Sequence, residues 1–314
     1  MKKNFLLSAI IPVYNESGNI SALLARLQPV VQKYSYEVIF INDGSTDSTV
    51  QEIKRECENN KAIKLISFTR NFGHQNALSA GYRHASGDCV VTIDADLQDP
   101  PELIDKMIDA WDKGFEIVYA HRRSRANDST FKKTTAWLFY WLINQVSEVA
   151  IPTDVGDFRL LDRSVVQYLN SLPEYARFLR GLVAWSGYKM TYVDFDRNQR
   201  HSGKTHYPVR KMLSFAVTGI TAFSTRPLRV VIYFGFLTAS AGLLGMAYAF
   251  LLRLMPHQYW VTGWTAIFVS ITFFAGVQIF ILGVIGEYIG RIFTQVQGRP
   301  FYLIRETINV ETTS

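Results

Sequence analysis

Two aspartates, Asp94 and Asp96, stand at i and i+2 directly after the apolar run Val90 to Ile93. Carboxylates so close repel each other unless a cation lies between them, and no Lys or Arg nearby in sequence offsets them. Hard oxygen ligands of this kind suit Mg²⁺ or Mn²⁺, with substrate phosphates completing the shell. Two other apolar runs end in similar polar clusters, Pro12-Val13-Tyr14-Asn15-Glu16 and Asn42-Asp43-Gly44-Ser45-Thr46-Asp47. Ser45, Thr46, Asp47 and Asp99 fit ordinary turn and helix-cap roles, whereas the Asp94/Asp96 pair does not.

The elements that must hold these residues alternate regularly over the first 120 positions. β-rich runs at Leu6 to Val13, Glu37 to Ile41, Ile63 to Phe68, Cys89 to Ile93 and Glu116 to Ala120 are separated by helical patterns near Ile20 to Lys33, Ser48 to Asn59, Gln75 to His84 and Pro101 to Lys113. Near-continuous apolar strands joined by helical crossovers predict an α/β domain with a mainly parallel sheet covered on both faces. Ligands of such sheets bind at the carboxyl ends of the strands, where all three polar clusters fall. Lys2, Lys3 and the apolar run after them imitate a signal peptide, but Pro12 to Glu16 interrupt it without a small-residue cleavage site, so a buried first strand is expected. Cys57 and Cys89 are too few for a disulfide framework or a metal cluster and read as packing residues in a reducing compartment.

Glycine-loop nucleotide sites fail. No Gly-x-Gly-x-x-Gly follows a strand, and Gly203-Lys204-Thr205 imitates the end of a Walker A loop without the earlier glycine or the preceding strand. What remains is a domain that holds a nucleotide with carboxylates and a divalent metal.

The second half of the chain has a different solvent. Val230 to Leu252 and Tyr259 to Gly286 contain no Asp, Glu, Lys or Arg. Each is long enough to cross a hydrocarbon core of about 30 Å as a helix. Of the formal net charge of +6, seven basic residues and no acidic one lie in 197–229, directly before the first span. That placement fits anionic lipid and the positive-inside rule better than nucleic acid. The short linker between the spans, with Arg253 and His257, predicts a hairpin with both flanks cytoplasmic. Ala241-x-x-x-Gly245 and Gly286-x-x-x-Gly290 permit close helix contact within the hairpin or between subunits of a homo-oligomer. Two uncharged spans argue for anchorage rather than transport.

Ser8-Ala-Ile-Ile-Pro-Val-Tyr-Asn-Glu16, Val38-Ile-Phe-Ile-Asn-Asp-Gly-Ser-Thr-Asp47 and Asp94-Ala-Asp-Leu-Gln-Asp-Pro-Pro-Glu102, in that order, resemble the family 2 glycosyltransferases of GT-A fold. More narrowly the chain resembles the polyprenyl-phosphate glycosyltransferases, which include the dolichol-phosphate mannose synthases and the bactoprenol glucosyltransferases with two C-terminal spans. The resemblance implies a GT-A domain over 1–207, a basic amphipathic segment over 208–229, a hairpin over 230–290 and a cytoplasmic tail over 291–314. It implies that Pro12, Tyr14, Glu16 and Asp43 hold the base and ribose of a nucleotide sugar. Asp94, Asp96 and Gln98 would hold the metal that bridges the donor phosphates, with Asp96 central to catalysis. In the segment Arg200-His201-Ser202-Gly203-Lys204-Thr205-His206 the family pattern keeps Arg200 and the glycine, so Arg200, Lys204 and Thr205 are expected to close over the diphosphate.

Asp157, in Gly156-Asp157-Phe158-Arg159-Leu160, takes the position where the family places a catalytic base. A lipid monophosphate has a second pKa of about 6 and attacks as an anion without help, so Asp157 is also a candidate for orienting the acceptor or a basic neighbour such as Arg159. Arg122, Arg125 and Lys132, with Arg123 and Lys133, are candidates for the acceptor phosphate. The aromatic-rich stretch from Thr134 to Val146 would pack deep in the core or lie at the membrane surface, and the neighbouring basic segment from Pro208 to Phe223 supports the second reading, in which both bring the active site to the lipid headgroups. The expected reaction is inverting transfer of one sugar, glucose from UDP-glucose, to undecaprenyl phosphate at the cytoplasmic membrane face for cell-envelope glycan modification. Transfer of mannose from GDP-mannose is the alternative within the class, and a non-catalytic scaffold or flippase subunit the alternative outside it. A processive polysaccharide synthase is disfavoured because the chain lacks its Gln-x-x-Arg-Trp motif and has too few spans.

Overall fold

Strand β1 (Leu6–Val13) is buried along nearly its whole length, with Ala9, Ile11 and Val13 on one face and Ile10 on the other. Alternate side chains of a strand point to opposite faces, so a strand apolar at every position must be covered on both. The computed structural model describes residues 4–122, 155–175, 177–195, 226–254 and 263–310. Its strands continue with β2 (Ser35–Asn42), β3 (Ile63–Phe68), β4 (Cys89–Thr92), β5 (Ile117–Arg122), β6 (Val155–Asp162), β7 (Met190–Phe195) and β8 (Ile304–Ile308). They form one sheet in the order β7-β5-β6-β4-β1-β2-β3-β8.

Helices α1 (Ile20–Val31), α2 (Thr49–Asn59) and α4 (Ile104–Asp112) cover one face, and α3 (His74–His84) and α5 (Arg163–Ser171) the other. In α1 the buried positions are Ile20, Leu23, Leu24, Leu27, Val30 and Val31, the 3–4 spacing of a single apolar stripe. α3 approaches β1 more closely, because Gly81 lies where a Cβ would meet Ile10 Cγ2 at 2.3 Å. Cys57 and Cys89 are fully buried, as their reading as packing residues requires.

Two features depart from the simple parallel sheet. β5 does not pair with β4; β6, from later in the chain, lies between them and runs antiparallel to both. The segment expected to be a plain tail enters the sheet, where β8 pairs antiparallel with β3. Both pairings join segments far apart in sequence, which strand-by-strand reading cannot see.

Between the sheet and β8 come α7 (Arg226–Leu254) and α8 (Trp264–Val296). Leu228–Gly245 and Ser270–Val296 have mean hydropathies of 1.6 and 1.7, and neither is buried inside the protein. Both helices are long and apolar enough to cross a membrane, and they contain most of the two expected spans; residues 255–262 lie outside the described residues.

β8 covers the edge of β3 and is tied down by Lys54 Nζ to Glu306 Oε2 (2.8 Å) and by Asn309 Nδ2, which donates to the Cys57 and Ile63 carbonyls (2.9 Å each). Cutting the chain before the hairpin therefore removes an edge strand as well as the anchor, and a truncated catalytic domain is no longer the intact sheet. A chain ending at Gly298 should melt at least ~5 °C lower than the full chain and aggregate through the bared β3 edge. Thermal unfolding in detergent measures this, and an unchanged midpoint would show that the sheet does not depend on β8.

Candidate functional site

The carboxyl ends of β1, β2 and β4 open into a pocket of about 340 Å³ lined by Pro12, Tyr14, Glu16, Asp43, Asp94 and Asp96, together with His74, Asp157 and Arg180. The loops that form it brace one another. The Asn15 N–H donates to Ser45 Oγ (3.0 Å), the Thr46 N–H to Asn15 Oδ1 (2.8 Å), and the Glu16 N–H to Thr49 Oγ1 (2.9 Å). Asp47 accepts from the Thr49 N–H and hydroxyl at 3.1 and 2.6 Å, so Ser45, Thr46 and Asp47 do the turn and cap work expected of them. Burial would raise Asp47, but these hydrogen bonds hold its carboxyl below the usual range. Tyr14 stands at the rim with its ring about half exposed.

Asp43 is buried, and its two oxygens accept from the Phe72 and Gly73 N–H groups at 2.6 and 2.9 Å. Burial nevertheless raises its pKa, with those N–H groups opposing. The contact shapes the turn after β3: Gly73 has φ +98°, and a Cβ on Gly44, at φ +74°, would meet the Arg70 backbone carbon at 2.4 Å. This turn delivers His74 into the pocket as the first residue of α3.

Asp157 arrives by register. β4 and β6 pair antiparallel with Thr92 opposite Arg159, so the strand directions bring Asp157 level with Asp94. Three carboxylates, Asp94, Asp96 and Asp157, then share one wall of the pocket. Helix α6 (Leu179–Trp185) answers with Arg180, whose Nε donates to Asp157 Oδ1 at 3.1 Å and Nη2 to Oδ2 at 3.0 Å. His74 Nε2 lies 3.3 Å from the same Oδ2 and 4.0 Å from Asp94 Oδ1. Below them Arg159 is fully buried, its Nη2 3.5 Å from Asp157 Oδ1 and its Nε donating to Tyr82 Oη at 3.3 Å.

These contacts decide the charges. Burial alone would raise Asp157, but Arg180, the His74 hydrogen bond and Arg159 hold its carboxyl well below the usual carboxylate range. A carboxylate held so strongly in its ionised form is a weak proton acceptor. Burial lowers His74, yet the bond to Asp157 and the nearby Asp94 outweigh it and raise the imidazole above its ordinary value. Asp94 is raised by burial, with His74 opposing and Asp157 and Asp96 adding to the rise.

Not every expected residue falls in the pocket. Gln98 is buried and donates its N–H to Asp96 Oδ1 (3.2 Å), but it does not line the cavity. Among the described residues no group of three His, Cys, Asp or Glu side chains forms a metal cluster by itself. Arg122 is the last residue of β5, paired with Phe195. Arg123, Arg125, Lys132, Lys133, Arg200, Lys204, Thr205, the stretch 134–146 and the segment 208–223 lie outside the described residues. Sequence reasoning missed His74 and Arg180. The third strand's carboxyl end carries no acidic cluster to mark it, although the strand-end rule applies to it; Arg180 lies on a helix with no signal of its own.

The glycosyl transferase family 2 model matches residues 8–169, and that of the GtrB C-terminal hairpin matches residues 226–292. An uncharacterized glycosyltransferase of Bacillus subtilis (strain 168), YkcC, is 43% identical over 313 residues, covering 99% of this chain and 97% of that protein. The bactoprenol glucosyl transferase of Shigella phage SfII is 40% identical over 303 residues, covering 96% of this chain and 98% of that protein. Among solved structures, glucosyl-3-phosphoglycerate synthase from Mycobacterium tuberculosis, in complex with Mn²⁺, UDP-glucose and phosphoglyceric acid, overlaps with a TM-score of 0.47 at 19% identity, covering 70% of this chain and 79% of that one. Matched through most of its sheet and again through its hairpin, the chain belongs to glycosyl transferase family 2, a GT-A glycosyltransferase with a membrane hairpin of the GtrB type.

Proposed function

We propose that the protein transfers one glucose from UDP-glucose to undecaprenyl phosphate at the cytoplasmic face of the membrane, with inversion at the sugar carbon. The observation that carries this reading is the pairing of an acidic strand-end pocket with near full-length similarity to a bactoprenol glucosyl transferase. In the reaction a phosphate oxygen of the lipid forms the new bond to the anomeric carbon as the bond to UDP breaks. The negative charge leaves on the diphosphate. Pro12, Tyr14, Glu16 and Asp43 would take the base and ribose. Arg200, Lys204 and Thr205 would close over the diphosphate, and Arg122, Arg125 and Lys132 would take the acceptor phosphate.

The donor set fits a divalent cation. Asp94 and Asp96 offer hard oxygens on one wall beside a third carboxylate, and Mg²⁺ or Mn²⁺ needs few protein ligands when phosphates and water fill its shell. Gln98, whose N–H donates to Asp96 Oδ1, would be the third protein ligand. Bound there, the ion would supply Lewis-acid charge to the leaving diphosphate. Asp157 serves this reaction as an anchor for Arg180 and His74, which would face the phosphates, and the acceptor needs no base.

The sheet itself supports the topology. β3 precedes both spans and β8 follows them, yet the two pair, which supports a hairpin with both flanks on one side of the membrane. The basic excess over 197–229 supports the cytoplasmic side.

Asp96→Ala should abolish transfer of labelled glucose into the lipid extract, and a chelator should do the same to the wild type, with Mg²⁺ or Mn²⁺ restoring it. Chelator-resistant turnover would overturn the metal reading. Asp157→Asn should fold and lose about 10- to 100-fold in rate by loosening Arg180 and His74, with donor and acceptor still bound. Its rate, like that of the wild type, should still fall below a pH of about 6, because that limb would report protonation of the acceptor phosphate. A folded Asp157→Asn protein that binds both substrates and transfers nothing would make Asp157 the base after all.

A further inference from the structure

The hairpin meets the catalytic domain at a small junction. Gln295, one residue before the end of α8, binds two backbone groups of the connection between α5 and α6: its Nε2 donates to the Pro173 carbonyl and its Oε1 accepts from the Tyr175 N–H, both at 2.7 Å. A single hydrogen bond is a pivot, whereas two from one planar amide fix rotation as well as distance. Past Gly298 the chain returns, and the Phe301 ring lies 5.8 Å from the Tyr175 ring and 4.6 Å beneath the Arg177 guanidinium. Tyr302 then stacks on Phe68 at 4.9 Å, and the Leu303 carbonyl accepts from the Thr69 N–H at 3.0 Å, leading into β8.

The same junction borders an open cavity of about 640 Å³ lined in part by Tyr175, Gln295 and Phe301. Among the described residues no close-packed interface backs these contacts, which help to set the attitude of a 33-residue helix, about 50 Å long. The gripped connection also leads to the active site. Leu179 N–H donates to Gln75 Oε1 at 3.1 Å beside His74, and the next residue, Arg180, holds Asp157.

We propose that Gln295 and Phe301 are positioning residues for the transfer. They lock the hairpin to the catalytic domain and so fix the height and tilt of the donor pocket over the bilayer. This rests on the lipid-acceptor reaction proposed above. An acceptor whose phosphate is tethered at the membrane surface can adjust its position little, and a misplacement of about 1 Å can cost about 100-fold in rate. A short acceptor free in solution has no such constraint.

The test uses the full chain in phosphatidylglycerol and phosphatidylethanolamine vesicles, with UDP-glucose and either undecaprenyl phosphate or a water-soluble two-isoprene phosphate. Gln295→Ala combined with Phe301→Ala should lower kcat for the undecaprenyl acceptor about tenfold, leave KM for UDP-glucose unchanged, and keep the soluble acceptor within about twofold of wild type. Gln295→Glu, which keeps the acceptor for Tyr175 but loses the donor to Pro173, should fall between. Spin labels at Glu58→Cys and Tyr248→Cys should give a narrow distance distribution in the otherwise unaltered chain and a broad one when Gln295 and Phe301 are replaced. Equal losses with both acceptors, no loss with either, or an unbroadened distribution would overturn the proposal. If the wild type transfers glucose to neither acceptor, the assigned reaction fails while the distances still judge the junction.

Discussion

The register between β4 and β6 is the constraint on which the rest of the site depends. Because the strands run antiparallel with Thr92 against Arg159, a carboxylate from late in the chain comes level with the Asp94/Asp96 pair. At an effective dielectric near 20, two like charges 4 Å apart repel by about 4 kcal/mol, so an acidic corner of this kind folds only with cations built into it. Arg159 answers from the same face of β6, while α6 and α3 bring Arg180 and His74. The Asp43 contacts to Phe72 and Gly73 serve the same need, since they hold the start of α3 in place, while Gly81 near its other end lets the helix pack closely on β1.

This arrangement divides the pocket electrostatically. Asp94 and Asp96 form an acidic side suited to a cation, and Arg180 and His74 form a basic side suited to anions. A nucleotide diphosphate with a cation needs both. Asp157 joins the two sides, and its pairing with Arg180 is what makes it a poor base and a good anchor. The reactant already carries the charge that a base would have had to create, so the proposed chemistry does not require the proton transfer that Asp157 is ill suited to perform.

What the sequence revealed was local. Asp94 and Asp96 stand out because their mutual repulsion is visible at i and i+2, and the strand-end rule then places Tyr14, Glu16 and Asp43 in the same pocket. β1 to β4 and the helices between them follow from apolar periodicity to within a residue or two at most boundaries. What stayed hidden depends on pairings between distant segments. The insertion of β6 between β4 and β5, the grip of Arg180 on Asp157 and the return of β8 to β3 leave no mark in any window of ten or twenty residues. Arg159, expected as a basic neighbour of Asp157, is completely buried beside it, which its sequence surroundings do not show.

The β3–β8 pairing has a consequence for how the molecule is made. Leu65 pairs with Ile308, so the sheet closes across a loop that contains the rest of the catalytic domain and both apolar helices. Loop-closure entropy grows only slowly with length and does not forbid this. Order of synthesis matters more. When the ribosome has completed α6 and β7, the β3 edge is still unpaired, and such an edge recruits other chains. It can be covered only after both apolar helices have been synthesised, because β8 follows them. Synthesis of the hairpin thus becomes a condition for completing the sheet, and the catalytic domain attains its final edge only in a chain that already carries both apolar helices.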